Sequence, residues 1–433
     1  MQIRCSELAI AVGGRLDGPD AVVDGASIDS RSVQAGQLFV PVVAERDGHD
    51  FVAGALAAGA AAYLTSHAPV GGTAIVVADT VEALQAAGRF ARARLPRPVV
   101  GITGSVGKTS VKDLLAVVLA QRLRTAASER SFNNELGVPL TLLGAPDGTE
   151  AVVVEMGARG VGHIAELCAI ASPSIGVVTR VAAAHTEAFG TVDAVAEAKG
   201  ELIAALPSDG TAVLFTGDER VLDMAGRTMA PVVTFGPGGD VQAGAVELDA
   251  ELRPRFRLTS RWGSIDVALA SRGVHQVDNA LAAAAVALVS GVGLHEVAAG
   301  LASAELSPWR MDLSTAPSGA RVLNDAYNAN PTSMAAALRS LAALPAARRT
   351  AVLGPMAELG DRSDAEHAAI GELAWELGLR VVAIGTSDYG TEHVDDMAGA
   401  LVALGRLGPD DAVLVKGSRV AGLERLAEVL LSD

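Results

Sequence analysis

The sequence predicts an α/β fold in which parallel sheets are covered by helices, and three observations carry that reading. Short β-branched runs alternate with stretches of helical apolar spacing from residue 99 onward. The chain is half hydrophobic yet only 3% aromatic and holds 47 glycines, which suits closely packed layers of helix on sheet better than an all-β fold. At residues 99–115, VVGITGSVGKTSVKDLL places a Gly-rich turn between an apolar run and a helical pattern. With 433 residues and a prior of ~150 residues per domain, three domains are expected. Pro96 and Pro98 precede the first strong strand, and Pro308 breaks an Ala-rich helix in SAELSPWRMDL. The boundaries therefore fall near 97 and 308, giving domains 1–97, 98–307 and 308–433.

Taken in chain order, Val99, Val100 and Ile102 form the strand, and Val111, Leu114, Leu115, Val118 and Leu119 recur at helical spacing. The loop between them suits phosphate. Gly104 and Gly107 permit close backbone approach, with Ser105 and Ser110 in the same turn. The helix start offers unpaired N–H groups, Lys108 a charge and Thr109 a hydroxyl for Mg²⁺. The strict P-loop pattern asks for glycine where Ile102 stands, and Gly101 lies one residue early. Beyond the loop, AVVVEMG, SIGVVTRV and TAVLFTGD read as further central strands. ARVLNDAY, TAVLGPM, RVVAIGTS and DAVLVKGS read as strands of the last domain.

Functional groups in open parallel sheets gather where strands end. Glu155 ends VVVE, His185 and Glu187 follow GVVTRVAAA, and Asp325 follows RVLN. Such carboxylates also serve as solvated groups or helix caps, and a hard ion such as Mg²⁺ prefers oxygen to the imidazole of His185. Lys199, on its own, reads as a solvated helix residue. Bulk properties exclude other classes. A net charge of −16 argues against general nucleic-acid binding. The uncharged stretch ALAAAAVALVSGVGL is short and Ala/Gly-rich for a membrane span, and no basic-then-apolar leader opens the chain. A cytoplasmic protein with no membrane span is expected. Cys5 and Cys168 make no disulfide framework or metal spacing and read as packing residues of a reducing compartment.

Several motifs stand in one order: IDSRSVQAGQLFVPVVAERDGHDF, GITGSVGKTS, SFNNELGVPLTLL, VVVEMGARGVGHI, AAHTEAFGTVDAVAEAKGEL, GVHQVDNALAA, NDAYNANPTSM and LVKGSR. Together they resemble the Mur ligase family. The resemblance implies a small N-terminal α/β domain for a UDP-sugar, a central P-loop ATPase domain, and a C-terminal Rossmann-like α/β domain for the incoming amine. The implied activity is ATP-dependent amide formation through an acyl phosphate, within the branch that joins D-alanyl-D-alanine to UDP-N-acetylmuramoyl-tripeptide. A monomer acting on small-molecule substrates is expected.

The resemblance also implies site roles. Lys108 would hold the β- and γ-phosphates of ATP. Thr109, Glu155 and His185 would hold Mg²⁺, together with Lys199 as a carbamate. Gln276, where the family usually has Asn, and Asn279 fall on the adenine motif. Arg310 and Asp325 would reach the nucleotide from the C-terminal domain, with Tyr327, Asn328 and Asn330 in the same loop. Asn133 and Asn134 of SFNNELG are carried over as substrate contacts. Ser30, Arg31, Asp47 and His49 would contact the UDP-sugar, although Asp29 and Ser30 equally suit a turn. Lys416 and Arg419 of LVKGSR would meet either the dipeptide carboxylate or the nucleotide. Pro355, Ala44 and LFTGDER depart from the usual family pattern. They leave open a ligase adding the third peptide residue, a folylpolyglutamate synthetase-like enzyme, or a P-loop protein that binds nucleotide without ligation.

Overall fold

The computed structural model describes residues 1–129, 132–182 and 189–432. Its strands fall into three main sheets and a small antiparallel pair, Gln2–Arg4 with Val22–Asp24. The first main sheet has five short strands, in the order Arg15–Asp17, Ala74–Val76, Ala62–Thr65, Leu38–Phe39, Ala26–Ser27. It is parallel except at the Arg15–Asp17 edge. Helix Thr80–Arg92 starts where the Asp79 carboxylate accepts the N–H groups of Val81 and Glu82 at 2.7 and 2.9 Å. Its buried Leu84 and Ala87 share one apolar core with Val138, Leu142, Val154 and Ile170. The first two units are therefore packed together without a break.

The second sheet is centred on Val99–Thr103, which lies between Ile175–Val178 and Ala151–Glu155, all parallel and all buried. Burial on both faces explains why these strands read as continuous apolar runs. Register pairs Glu155 with Ile102 and Val178 with Thr103, so the three strands end level and their loops open at one edge. Thr211–Phe215 and Val232–Phe235 continue the parallel order. The far edge carries an antiparallel hairpin, Pro254–Ser260 with Gly263–Ala268. In RFRLTS the alternating Phe256 and Leu258 are buried between exposed neighbours.

The third sheet runs Asp312–Thr315, Arg321–Asn324, Asp411–Lys416, Arg348–Leu353, Arg380–Ile384, Glu392–Val394, antiparallel only at its first pair. Apolar clusters lie on its two sides, one around Leu338 and Leu353, which Leu252 of the second unit also enters, and the other around Val413 and Leu426. Between the second and third sheets, helix Leu294–Ser303 gives way to a linker in which Trp309 and Met311 take left-handed backbone angles, φ 62° and 57°. Such angles are uncommon for residues with a side chain. Arg310 is thus held between two strained neighbours. Among the described residues no helix is long and apolar enough to cross a membrane.

Candidate active site

The Gly-rich loop closes between strand Val99–Thr103 and helix Lys108–Ala120. Its glycines are required by space as well as by angle. Gly104 (φ +150°) would bring a Cβ to 1.9 Å from Thr179 Oγ1, and Gly107 (φ +85°) would bring one to 2.4 Å from Asn279 Oδ1. The loop is fixed from the side by Ser105, whose N–H donates to the Arg180 carbonyl at 2.7 Å and whose hydroxyl donates to that of Ala182 at 3.0 Å. Ile102 belongs to the strand and is fully buried, so the departure from the strict motif falls outside the phosphate-facing turn.

Lys108 Nζ donates back to the Gly104 carbonyl at 2.7 Å. Burial lowers its pKa, Glu155 opposes that shift, and Arg310 adds to it. Glu155 is 1% exposed. Its Oε1 accepts from Asn133 Nδ2 at 2.9 Å, while its Oε2 is buried with no hydrogen-bond partner. With the hydroxyl of Thr109 this gives a hard oxygen donor set that fits Mg²⁺. Arg310 reaches that hydroxyl from the linker, Nη2 to Oγ1 at 2.9 Å, and lies 4.1 Å over the ring of Tyr327. Lys199 is buried on helix Val192–Ala204, not solvated. Desolvation, and then the Lys108 ammonium, bring its pKa down to about 7.

The other wall holds Gln276 and Asn279, one helical turn apart, with Asn279 Nδ2 donating to Gln276 Oε1 at 2.8 Å. Gln276 is 2% exposed, so the longer amide serves to orient Asn279. Sequence reasoning missed their neighbours. Phe215 and Phe235 have ring centroids 5.3 Å apart, and Arg180 covers Phe215 at 4.8 Å while pairing with Asp278 at 3.3 Å. Both phenylalanines end parallel strands, and that position was the available signal.

From the third unit, Asp325, Tyr327, Asn328, Asn330 and Lys416 line the same cavity, of about 450 Å³, as Ser105, Gly107, Lys108, Thr109, Ser110, Asn133, Glu155, Gln276, Asn279 and Arg310. Lys416 is not free to hold a substrate carboxylate. It is 2% exposed, and its ammonium donates to Asp325 Oδ2 at 2.5 Å, the Asn328 carbonyl at 2.9 Å and the Asp325 carbonyl at 3.3 Å. Those acceptors use its three donors. Asp325 Oδ1 in turn accepts the Met311 N–H at 3.2 Å. Arg419 lies outside the cavity, 4.5 Å over Trp309 and paired with Glu424 at 3.1 Å. Asn330 caps helix Pro331–Ala343 through Ser333 N–H, and Asn134 accepts the N–H groups of Leu136 and Gly137 outside the cavity.

The residues expected near a UDP-sugar are in the first unit, away from this cavity. Arg31 is exposed and grips Asp29 with two bonds, 2.9 and 2.8 Å, beside the half-buried Ser30. Asp47 accepts from the His49 ring at 2.6 Å, and His49 stacks on His67 with centroids 3.9 Å apart. His185 and Glu187 lie outside the described residues. Cys5 and Cys168 are buried, and burial raises their thiols to about 11 and about 12, as packing residues should be.

A phosphate loop, an acid with a free oxygen and an arginine supplied across a linker define a nucleotide-using enzyme of the P-loop class. Comparison with known proteins narrows this. Profiles described as Mur ligase family, catalytic domain; Mur ligase middle domain; and Mur ligase, glutamate ligase domain match residues 22–94, 102–287 and 309–419. The chain belongs to the Mur ligase family. It is 40% identical to the UDP-N-acetylmuramoyl-tripeptide--D-alanyl-D-alanine ligase of Mycobacterium tuberculosis, over 100% of this chain and 98% of the relative. A crystal structure of MurF from Acinetobacter baumannii superposes with a TM-score of 0.90 at 30% identity, covering 100% and 99% of the two chains. MurF ligase from Thermotoga maritima, in complex with ADP, gives 0.83 at 29% identity over 94% and 97%.

Proposed function

We propose that this chain is the ATP-dependent ligase that adds D-alanyl-D-alanine to UDP-N-acetylmuramoyl-tripeptide in peptidoglycan precursor synthesis, acting in the cytoplasm as a monomer. The observation that carries the reading is the meeting of Lys108, Thr109 and Glu155 with Arg310 and Asp325 in one cavity, in a chain whose full-length relatives carry that name. The first unit takes the UDP-sugar through Arg31 and the segment around Asp47 and His49. The second takes ATP, and the third takes the dipeptide.

A carboxylate acylates poorly, and bringing it to a triphosphate sets two anions together. The site must therefore neutralise charge and align the partners. Lys108 exchanges the Gly104 carbonyl for phosphate oxygens, and the N–H groups at the start of helix Lys108–Ala120 face the same anion. Asn279, steadied by Gln276, reads the base beside the Phe215–Phe235 pair. Glu155, Thr109, His185 and Lys199 as a carbamate would hold Mg²⁺, which when bound would stabilise charge on the transferred phosphoryl group. The substrate carboxylate attacks the γ-phosphorus, giving an acyl phosphate and ADP. The dipeptide amine then displaces phosphate through a tetrahedral intermediate. Lys416 and Arg419 act by bracing the linker that presents Arg310. The test is direct. Incubation with ATP, Mg²⁺, the UDP-tripeptide and D-alanyl-D-alanine should release one phosphate for each UDP-pentapeptide found by mass, and phosphate release without that product overturns the reading.

A further inference from the structure

Beside the nucleotide cavity, and lined by the same linker, is a cleft of about 510 Å³ between residues 302–312, residues 268–272 and the segment around Arg253. Arg310 is shared by both cavities, the one described residue common to their walls. Arg253, Arg255 and Arg272 join it in lining the cleft.

The acids nearby are largely committed. Asp249 accepts the N–H groups of Glu251 and Arg253, both at 2.9 Å, and Asp312 accepts that of Trp309 at 2.6 Å. Glu251 holds Arg253 and Arg272 at 2.5 and 3.3 Å. Glu305 is exposed at the rim. Among the described residues Arg255 has no ion pair. The wall also contains buried donors without acceptors: Ser271 Oγ, Arg272 Nε and Arg310 Nε. Ser271 is 94% buried, at 6% exposure. Buried donors are normally matched, and an acceptor in the cleft would satisfy the Ser271 hydroxyl once that side chain turns outward.

We infer that this cleft binds a small metabolite bearing a phosphate or carboxylate group, held by Arg253, Arg255, Arg272 and Ser271 beside the nucleotide cavity. A guanidinium fork suits either oxyanion, and the volume admits a molecule several times larger than an inorganic ion. The inference rests on the cleft and is independent of which amide the enzyme forms.

The test is calorimetric titration of the whole protein, its nucleotide site filled with ADP and Mg²⁺, with citrate and with glycerol 3-phosphate against chloride at equal ionic strength. Saturable one-site binding of at least one is expected, and which one binds identifies the acidic group. Arg253→Gln with Arg255→Gln should weaken it at least tenfold, a charge-assisted pair being lost at each position. Ser271→Ala should weaken it severalfold, with basal ligation unchanged in both variants. Ser271→Ala carries the test if the double variant does not fold. Absence of saturable binding, with the cleft filled by water alone, overturns the inference, as does binding that these substitutions leave undiminished.

Discussion

Lys108, Glu155 and Lys199 share one electrostatic neighbourhood, in which Glu155 acts on Lys108 and Lys108 acts on Lys199. The Lys108 ammonium is depressed by burial and supported by Glu155, so an arriving phosphate chain favours its charged form. Lys108→Ala should lower kcat/KM by about 100- to 1,000-fold with an unaltered circular dichroism spectrum, and a folded variant that ligates at the wild-type rate contradicts the phosphate-loop assignment. Lys199 carries a different expectation. With its pKa at about 7 instead of 10.5, the amine is neutral above pH 7 and protonated below. Carbon dioxide adds to the neutral form, so carbamate and activity should rise through pH 7 and fall roughly tenfold per unit beneath it. Lys199→Ala should lose activity that acetate partly restores. A pH profile flat from about 6 to 8, or a dispensable lysine, rules out the carbamate. Sequence alone showed Lys108 through its neighbours, whereas Lys199 looked solvated because nothing local records that its helix face turns inward.

Among the elements, the linker and the loop after Arg321–Asn324 hold each other. Left-handed backbone at Trp309 and Met311 costs about 1–3 kcal/mol at each residue. Asp312, Asp325, Lys416 and Arg419 offset it with bonds and ring contacts. Lys416→Met leaves Asp325 beside an apolar group, and breaking a buried pair in this way costs about 3–5 kcal/mol. KM for ATP and for the dipeptide should rise together, with a lower melting temperature. An effect confined to the dipeptide would restore the reading of Lys416 as its carboxylate partner. The parallel strands were legible because burial on both faces leaves unbroken β-branched runs, and the phosphate loop because Gly-Lys-Thr falls between strand and helix. The strands of the first unit were not, being two to four residues long and too short for a period. Nor were Arg180 and Phe215, which meet only through tertiary packing.

At the scale of the molecule, one apolar core joins the first unit to the second, while the third meets the second chiefly through Leu248 and Leu252, which pack into one of its two clusters. The third unit is already closed on the phosphate loop here, with Arg310 meeting the Thr109 hydroxyl at 2.9 Å, so on the proposed function the linker is where opening would admit ATP and the dipeptide. Recognition should divide accordingly. Arg31→Ala should raise KM for the UDP-tripeptide by about tenfold to a hundredfold, the loss of a charge-assisted bond of about 1.5–3 kcal/mol. KM for the dipeptide should stay unchanged, and a shift in the dipeptide KM instead contradicts the division. The family likeness alone admits other amines, so amine choice tests the central claim most directly. The deciding measurement is competition among D-alanyl-D-alanine, D-alanine, diaminopimelate, lysine and glutamate for the activated UDP-tripeptide, with products resolved by mass. The account predicts that the dipeptide adduct dominates when all are present at equal concentration. Efficient incorporation of a single amino acid in its place would contradict it.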